Sequence, residues 1–181
     1  MALSRSKGWV RGASAGFLVA IPLLMLVATA SVVVYWGFGL NRLGNDVLGQ
    51  NFIVLWDQPP VAERRVYGLL AVLPALGFWL FAMQRLFVMF RNFYAGRTVG
   101  LETIRLLRSF ALYSAIAVMA AFAFSGVMRW AAGQFDDAPL WTHLGFSATH
   151  AAVLFTAAIV FVASHIIEEG YEYKKETEEY V

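Results

Sequence analysis

The stretch from Ala13 to Leu40 reads ASAGFLVAIPLLMLVATASVVVYWGFGL and holds no Asp, Glu, Lys or Arg. A helix crosses a hydrocarbon core of roughly 30 Å with about 20 residues. The stretch exceeds that length, and three more runs free of those four residue types follow, at Val66–Gln84, Ser109–Met128 and Ser147–Ser164. The sequence therefore predicts an all-α integral membrane protein. Its four transmembrane helices, over 13–40, 66–84, 109–128 and 147–164, are expected to form an antiparallel bundle. A signal peptide has an apolar core of only about 7–15 residues. The first run continues well past the Ala28-Thr29-Ala30 triplet that resembles a cleavage site, so it is read as a retained span.

Composition agrees. Of 181 residues, 60% are apolar and 14% charged, against about a quarter charged in soluble domains, and mean hydropathy is +0.63. Spans and short connections use nearly the whole chain, so residues 1–181 are read as one domain. With no cysteine, disulfides, thiolate metal sites and cysteine catalysis are excluded.

Charge placement predicts the topology. Arg5, Lys7 and Arg11 precede the first span, Arg85, Arg91, Arg97, Arg105 and Arg108 lie between the second and third, and Lys174 and Lys175 follow the fourth. The other two connections hold Arg42, Arg64, Arg65 and Arg129. Lys/Arg excess marks the cytoplasmic side, which places both termini and the 85–108 connection in the cytoplasm. Residence in the cytoplasmic (inner) membrane follows, because the outer membrane uses barrels. Trp9, Trp36, Trp130 and Trp141 stand at predicted span ends, as interfacial anchors do.

Small residues mark expected packing faces, since close approach drives helix association in lipid. They are Gly12 and Gly16 on the first span, Ser114, Ala117, Ala121 and Ser125 on the third, and Ala148, Ala152 and Thr156 on the fourth. The third and fourth spans should pack together. Pro22 and Pro74 lie inside spans, and static bundles tolerate both. The first outer connection, 41–65, interleaves Val47, Leu48, Phe52, Ile53, Leu55 and Trp56 with Gln50 and Asn51, a pattern suited to the outer membrane surface.

Two segments stand out. Between Arg85 and Arg108, arginines alternate with aromatics, suiting anionic headgroups. Gly96 reads as the stop of the second helix, and Glu102 falls in the first turn of the third, where the helix dipole favours a carboxylate. After Ser164 the chain turns polar, with six glutamates. Ile166, Tyr173 and Tyr180 recur every seven residues, and the last helix is expected to continue into the cytoplasm over 165–181. Its acidic face is a candidate to dock on the arginines.

Catalytic signals are missing. Ionisable groups inside membranes are costly and mark pathways, yet only His150 lies within a span. His150 and His165 are about 22 Å apart along one helix and cannot share a haem. The three scattered histidines form no metal cluster. No cofactor, metal or enzymatic activity is expected, and His150 is read as bonding a neighbouring helix.

The Arg85-Leu86-Phe87 and Phe93-Tyr94-Ala95-Gly96 segments, Val99, Glu102, Arg105-Leu106-Leu107-Arg108, and the closing Glu169-Gly170, Glu176 and Val181 together resemble the bacterial membrane-protein family catalogued as domain of unknown function 2975. Gly100 stands where that family often has Ser or Thr. The resemblance implies four transmembrane helices and suggests a membrane-held partner of a regulator.

The expected function is that of a non-catalytic small membrane protein acting as partner or regulator. Contacts are expected through Arg91, Arg97, Arg105, Arg108, Glu168, Glu169, Glu172 and Glu176. The partners expected are the lipid bilayer and a cytoplasmic regulator or membrane-complex subunit, without direct nucleic-acid contact. Two alternatives are an accessory subunit packed by its helices in a larger complex, and a small-molecule or lipid binder or transporter.

Overall fold

The computed structural model describes residues 2–39, 60–96, 100–133, 144 and 146–179, with the backbone alone at 2–10, 172 and 174–179. Arg97, Trp141, Tyr180 and the 41–59 part of the first outer connection lie outside the described residues. The described chain is helical: α1 (Ala2–Val33) with a π-helical turn at Val34–Phe38, a 3-10 turn at Ala62–Arg64, α2 (Arg65–Tyr94), α3 (Leu101–Ala131) and α4 (Ala148–Glu179). Each helix is long and apolar enough to cross a membrane, with mean hydropathy of at least 1.9 over its most apolar window. A helix suits such a sequence because it satisfies its own backbone donors and acceptors. α1 and α2 run through Pro22 and Pro74.

The helices outrun the apolar segments that announced them. Arg85–Tyr94 is the last part of α2, and Leu101–Arg108 opens α3, as the Gly96 stop and the Glu102 first turn predict, so the 85–108 stretch between the apolar runs narrows to a connection at 95–100. Arginine, leucine and methionine are strong helix formers, and nothing in 85–94 breaks a helix. α2 stops where Gly96 takes φ 76°, a left-handed conformation that glycine adopts without strain. There the Ala95 N–H donates to the Arg91 carbonyl and the Gly96 N–H to the Phe93 carbonyl, both at 3.0 Å.

Packing follows chain order among the described residues: α1 on α2, α2 on α3, α3 on α4. α1 and α4 form the edges of this open series. In their apolar windows 22% and 17% of residues are buried, against 39% in α2 and in α3. The face of α1 turned inward carries Ser14, Ile21, Ala28, Val32 and Tyr35, a spacing of seven, or four plus three, that keeps one stripe against a neighbour. The core gathers Ala28, Val32, Tyr35 and Trp36 with Ala71, Val72, Leu76 and Trp79 of α2 and Ala117, Met128 and Ala131 of α3.

Trp36 is only 1% exposed; it fills the α1–α2 interface and is not an interfacial anchor. Gly68 makes room for it: a Cβ on Gly68 would lie 1.9 Å from Trp36 Cζ3. On α3, Ser114, Ala117, Ala121 and Ser125 are all buried, as their spacing predicts. Gly12 and Gly16 are exposed and a Cβ on either meets nothing within 4 Å; among the described residues they face no helix, because Ser14 lies on the inward face instead. On α4, Ala148 and Ala152 are exposed. The buried residues there are His150, Ala157 and Ser164, because that stripe faces α3.

Candidate functional site at the basic end of the helices

Side-chain contacts join the start of α1 to the end of α2, the end of α2 to the start of α3, and the start of α3 to the distal part of α4. α1 is tied to α2 through Arg11. Arg11 donates through Nε to the Tyr94 carbonyl at 3.2 Å, and its guanidinium lies 5.6 Å from the Tyr94 ring. A cation at a helix C-terminus meets the negative end of the dipole and an otherwise unpaired carbonyl. One turn deeper, Phe17 stacks on Phe90 with centroids 4.3 Å apart.

The α2–α3 junction is pinned by Asn92. Its side chain is buried and donates through Nδ2 to Glu102 Oε1 at 3.4 Å. Glu102 thus serves the positive end of α3 and links it to α2. Gly100, the residue before α3, is extended and supplies no side-chain cap. Asn92 was missed in the sequence because a lone asparagine among arginines and aromatics carries no periodic signal.

Arg108 reaches α4. Its Nη2 pairs with Glu168 Oε2, lies 3.3 Å from His165 Nδ1, and its guanidinium sits 5.8 Å from the Phe161 ring. His165 in turn faces Glu169, with Nε2 3.6 Å from Oε1. The expected docking of the acidic stretch on the arginines is therefore realised by one pair. Arg108 and Glu168, with side-chain exposures of 30% and 20%, pair across α3 and α4.

Arg91 and Arg105 are exposed, and no carboxylate pairs with either among the described residues. Glu169 is exposed beside His165. Glu172 and Glu176 lie on the α4 backbone, with side chains outside the description. Arg85 is half-buried, its guanidinium 6.0 Å from the Tyr113 ring.

The opposite end is closed by structural contacts. Arg64 donates to the Trp130 carbonyl at 3.3 Å and lies 4.7 Å from the Trp130 ring. The Val61 N–H donates to the Ala131 carbonyl at 3.2 Å. Among the described residues His150 bonds no neighbouring helix. Its Nδ1 accepts from the Ser147 N–H at 3.1 Å, and Ser147 Oγ accepts from the His150 N–H at 3.3 Å. This is a reciprocal capping box, with histidine where glutamate is usual. The Ser-x-x-His spacing was visible in the sequence but is easily passed over, since capping boxes are sought with Glu or Gln.

A groove of about 220 Å³ runs between α3 and α4, lined by Phe110, Ser114, Ala152, Val153, Thr156 and Ala157 among others. Its lining is aliphatic, aromatic and hydroxyl-bearing, without an ionisable side chain. Among the described residues no three His, Asp or Glu side chains group as a metal site.

Comparison with family models, with curated proteins and with solved structures returns no match.

Proposed function

We propose that this chain is a non-catalytic multi-pass protein of the cytoplasmic membrane, both termini inside, that captures a cytoplasmic protein partner at its basic end. The observation that carries this reading is the pair Arg91 and Arg105. They stand exposed on adjoining helix ends without carboxylate partners among the described residues, whereas Arg108 is already neutralised by Glu168. Unpaired arginines on one face attract an acidic surface and speed its docking. Glu169 and the glutamates beyond it supply a second, acidic contact on α4.

The orientation rests on charge and on ring contacts. Ten basic residues gather toward the proposed cytoplasmic side and four toward the other. Phe17 early in α1 meets Phe90 late in α2, and Tyr67 early in α2 meets Trp130 late in α3, which supports antiparallel neighbours. The resemblance to domain of unknown function 2975 agrees with a membrane-held partner of a regulator.

The test uses the full chain, immobilised in mild detergent, and extract from its own cells. A stoichiometric companion should be retained, and Arg91→Ser with Arg105→Ser should lower retention more than tenfold. Unchanged retention by the double variant overturns the reading.

A second reading, an accessory subunit held by its helices, is favoured by the open flanks of α1 and α4, 22% and 17% buried. A companion that stays bound to the double arginine variant would select it.

A further inference from the structure

We propose that two copies of this chain pair through α4 as a parallel two-stranded coil that runs from the membrane into the cytoplasm. α4 turns His150, Ala157 and Ser164 toward α3. A second stripe steps by four and three, from Ala152 and Thr156 at the rim of the α3–α4 groove to Ile159, Ala163, Ile166, Gly170 and Tyr173 on the far side. Ala163 is half-buried and the other six are exposed, Ile159 at 53%, Ile166 at 63% and Tyr173 at 70%. Such spacing is the heptad seam of a coiled coil. α4 is the edge of the helix series, so no described helix covers that side.

Exposed apolar residues inside a bilayer need no further explanation, but this seam continues beyond it. α4 has 32 residues, about 48 Å at 1.5 Å per residue, of which a crossing uses about 30 Å. Roughly its last 12 residues therefore stand in water. The charged residues of that part are 168, 169, 172, 174, 175, 176, 178 and 179, and none falls on the seam positions 166, 170, 173 and 177.

Charge points to a second copy as the occupant. With Ile166 and Tyr173 at d, position 169 is g and position 174 is e. In a parallel two-stranded coil a g residue meets the e residue five places later on the other strand. The sequence puts a glutamate at 169 and a lysine at 174, so a two-fold dimer repeats the complementary pair twice. Two copies inserted the same way in one membrane bring their α4 helices together parallel, as this pairing needs.

Gly170 fits the same picture. A glycine inside an exposed helix costs about 1 kcal/mol relative to alanine, and a Cβ there would touch nothing in this chain. On the seam, with Thr156 and Ala163, it allows a second backbone to come close.

The chain has no cysteine, so single cysteines report this geometry directly. A disulfide requires Cα atoms about 4.4–6.8 Å apart. In oxidised native membranes, Ile166→Cys and Tyr173→Cys should form covalent dimers at least tenfold faster than Tyr171→Cys, which is exposed but off the seam. Equal rates, or faster cross-linking at 171, overturn the proposal. Adding Glu169→Lys to Tyr173→Cys should slow its cross-linking, and adding Lys174→Glu to that variant should restore it. Failure to restore refutes the parallel pairing. The Arg91→Ser, Arg105→Ser pair should leave these rates unchanged, which separates this inference from the partner reading.

Discussion

Replacing Gly68 by alanine sets one methyl group against a fully buried indole. The new Cβ would lie 1.9, 2.3 and 2.4 Å from Trp36 Cζ3, Cε3 and Cη2. Comfortable carbon contacts need about 3.5–4.0 Å, so the indole or the α1–α2 spacing must shift by roughly 1.5–2 Å. Trp36 has nowhere easy to go, being 1% exposed and in edge contact with Tyr35 at 5.0 Å. Overpacking of this kind costs typically about 1–3 kcal/mol, and losing the packing of a whole tryptophan about 3–5 kcal/mol. Alanine regains about 1 kcal/mol of helix propensity. The net expectation is a loss of about 2 kcal/mol. The assay is unfolding in mixed micelles followed by tryptophan fluorescence. Trp36→Leu should remove most of the penalty of Gly68→Ala, giving a coupling energy of at least about 1 kcal/mol. Gly12→Ala and Gly16→Ala, which meet open space, should be neutral or stabilising by up to about 1 kcal/mol. A Gly68→Ala protein as stable as the parent would refute the placement of Trp36.

Two further outcomes follow from the polar contacts. Ser147→Ala and His150→Ala should each cost about 1 kcal/mol as losses of a cap, and the double variant should cost little more than either alone; additive losses would mean that the two do not form one box. For Arg108→Gln and Glu168→Gln, a double-mutant cycle read by amide exchange along α4 beyond Ser164 should give a coupling of about 1 kcal/mol or less, since both groups are partly exposed; a coupling of zero would show that the pair does not hold α4.

The four membrane-crossing lengths were legible because long uncharged apolar runs need no periodicity to be recognised. The inward faces were only partly so. In lipid both sides of a helix are apolar, so hydropathy does not say which side meets protein. Ser114, Ala117, Ala121 and Ser125 read correctly because α3 has neighbours on both sides. α4 has one; Ala148 and Ala152 are exposed, Ala152 at the rim of the α3–α4 groove, while His150, Ala157 and Ser164 are buried toward α3. Gly12 and Gly16 misled for the same reason. Trp36 sits where an interfacial anchor would, and only the glycine at 68, far away in sequence, reveals its pocket. At the basic end the arginines were evident as a group. Which one would be neutralised depended on Arg108 and Glu168 meeting across two helices, a long-range fact without a local sign. The helical state of 85–94 and 101–108 was legible in two signs, Gly96 as the stop of the second helix and Glu102 in the first turn of the third, although the charged stretch as a whole was read as a connection.

α1 is fastened to α2 twice, near each end. At one end Arg11 holds the Tyr94 carbonyl and Phe17 stacks on Phe90. At the other, Trp36 enters the space above Gly68, and Gly39 lies against the Arg65 guanidinium. These contacts fix the sliding position of α1 on α2 from both ends. Either fastening alone sets the register of the two helices, so a change that loosens one end leaves them in step at the other.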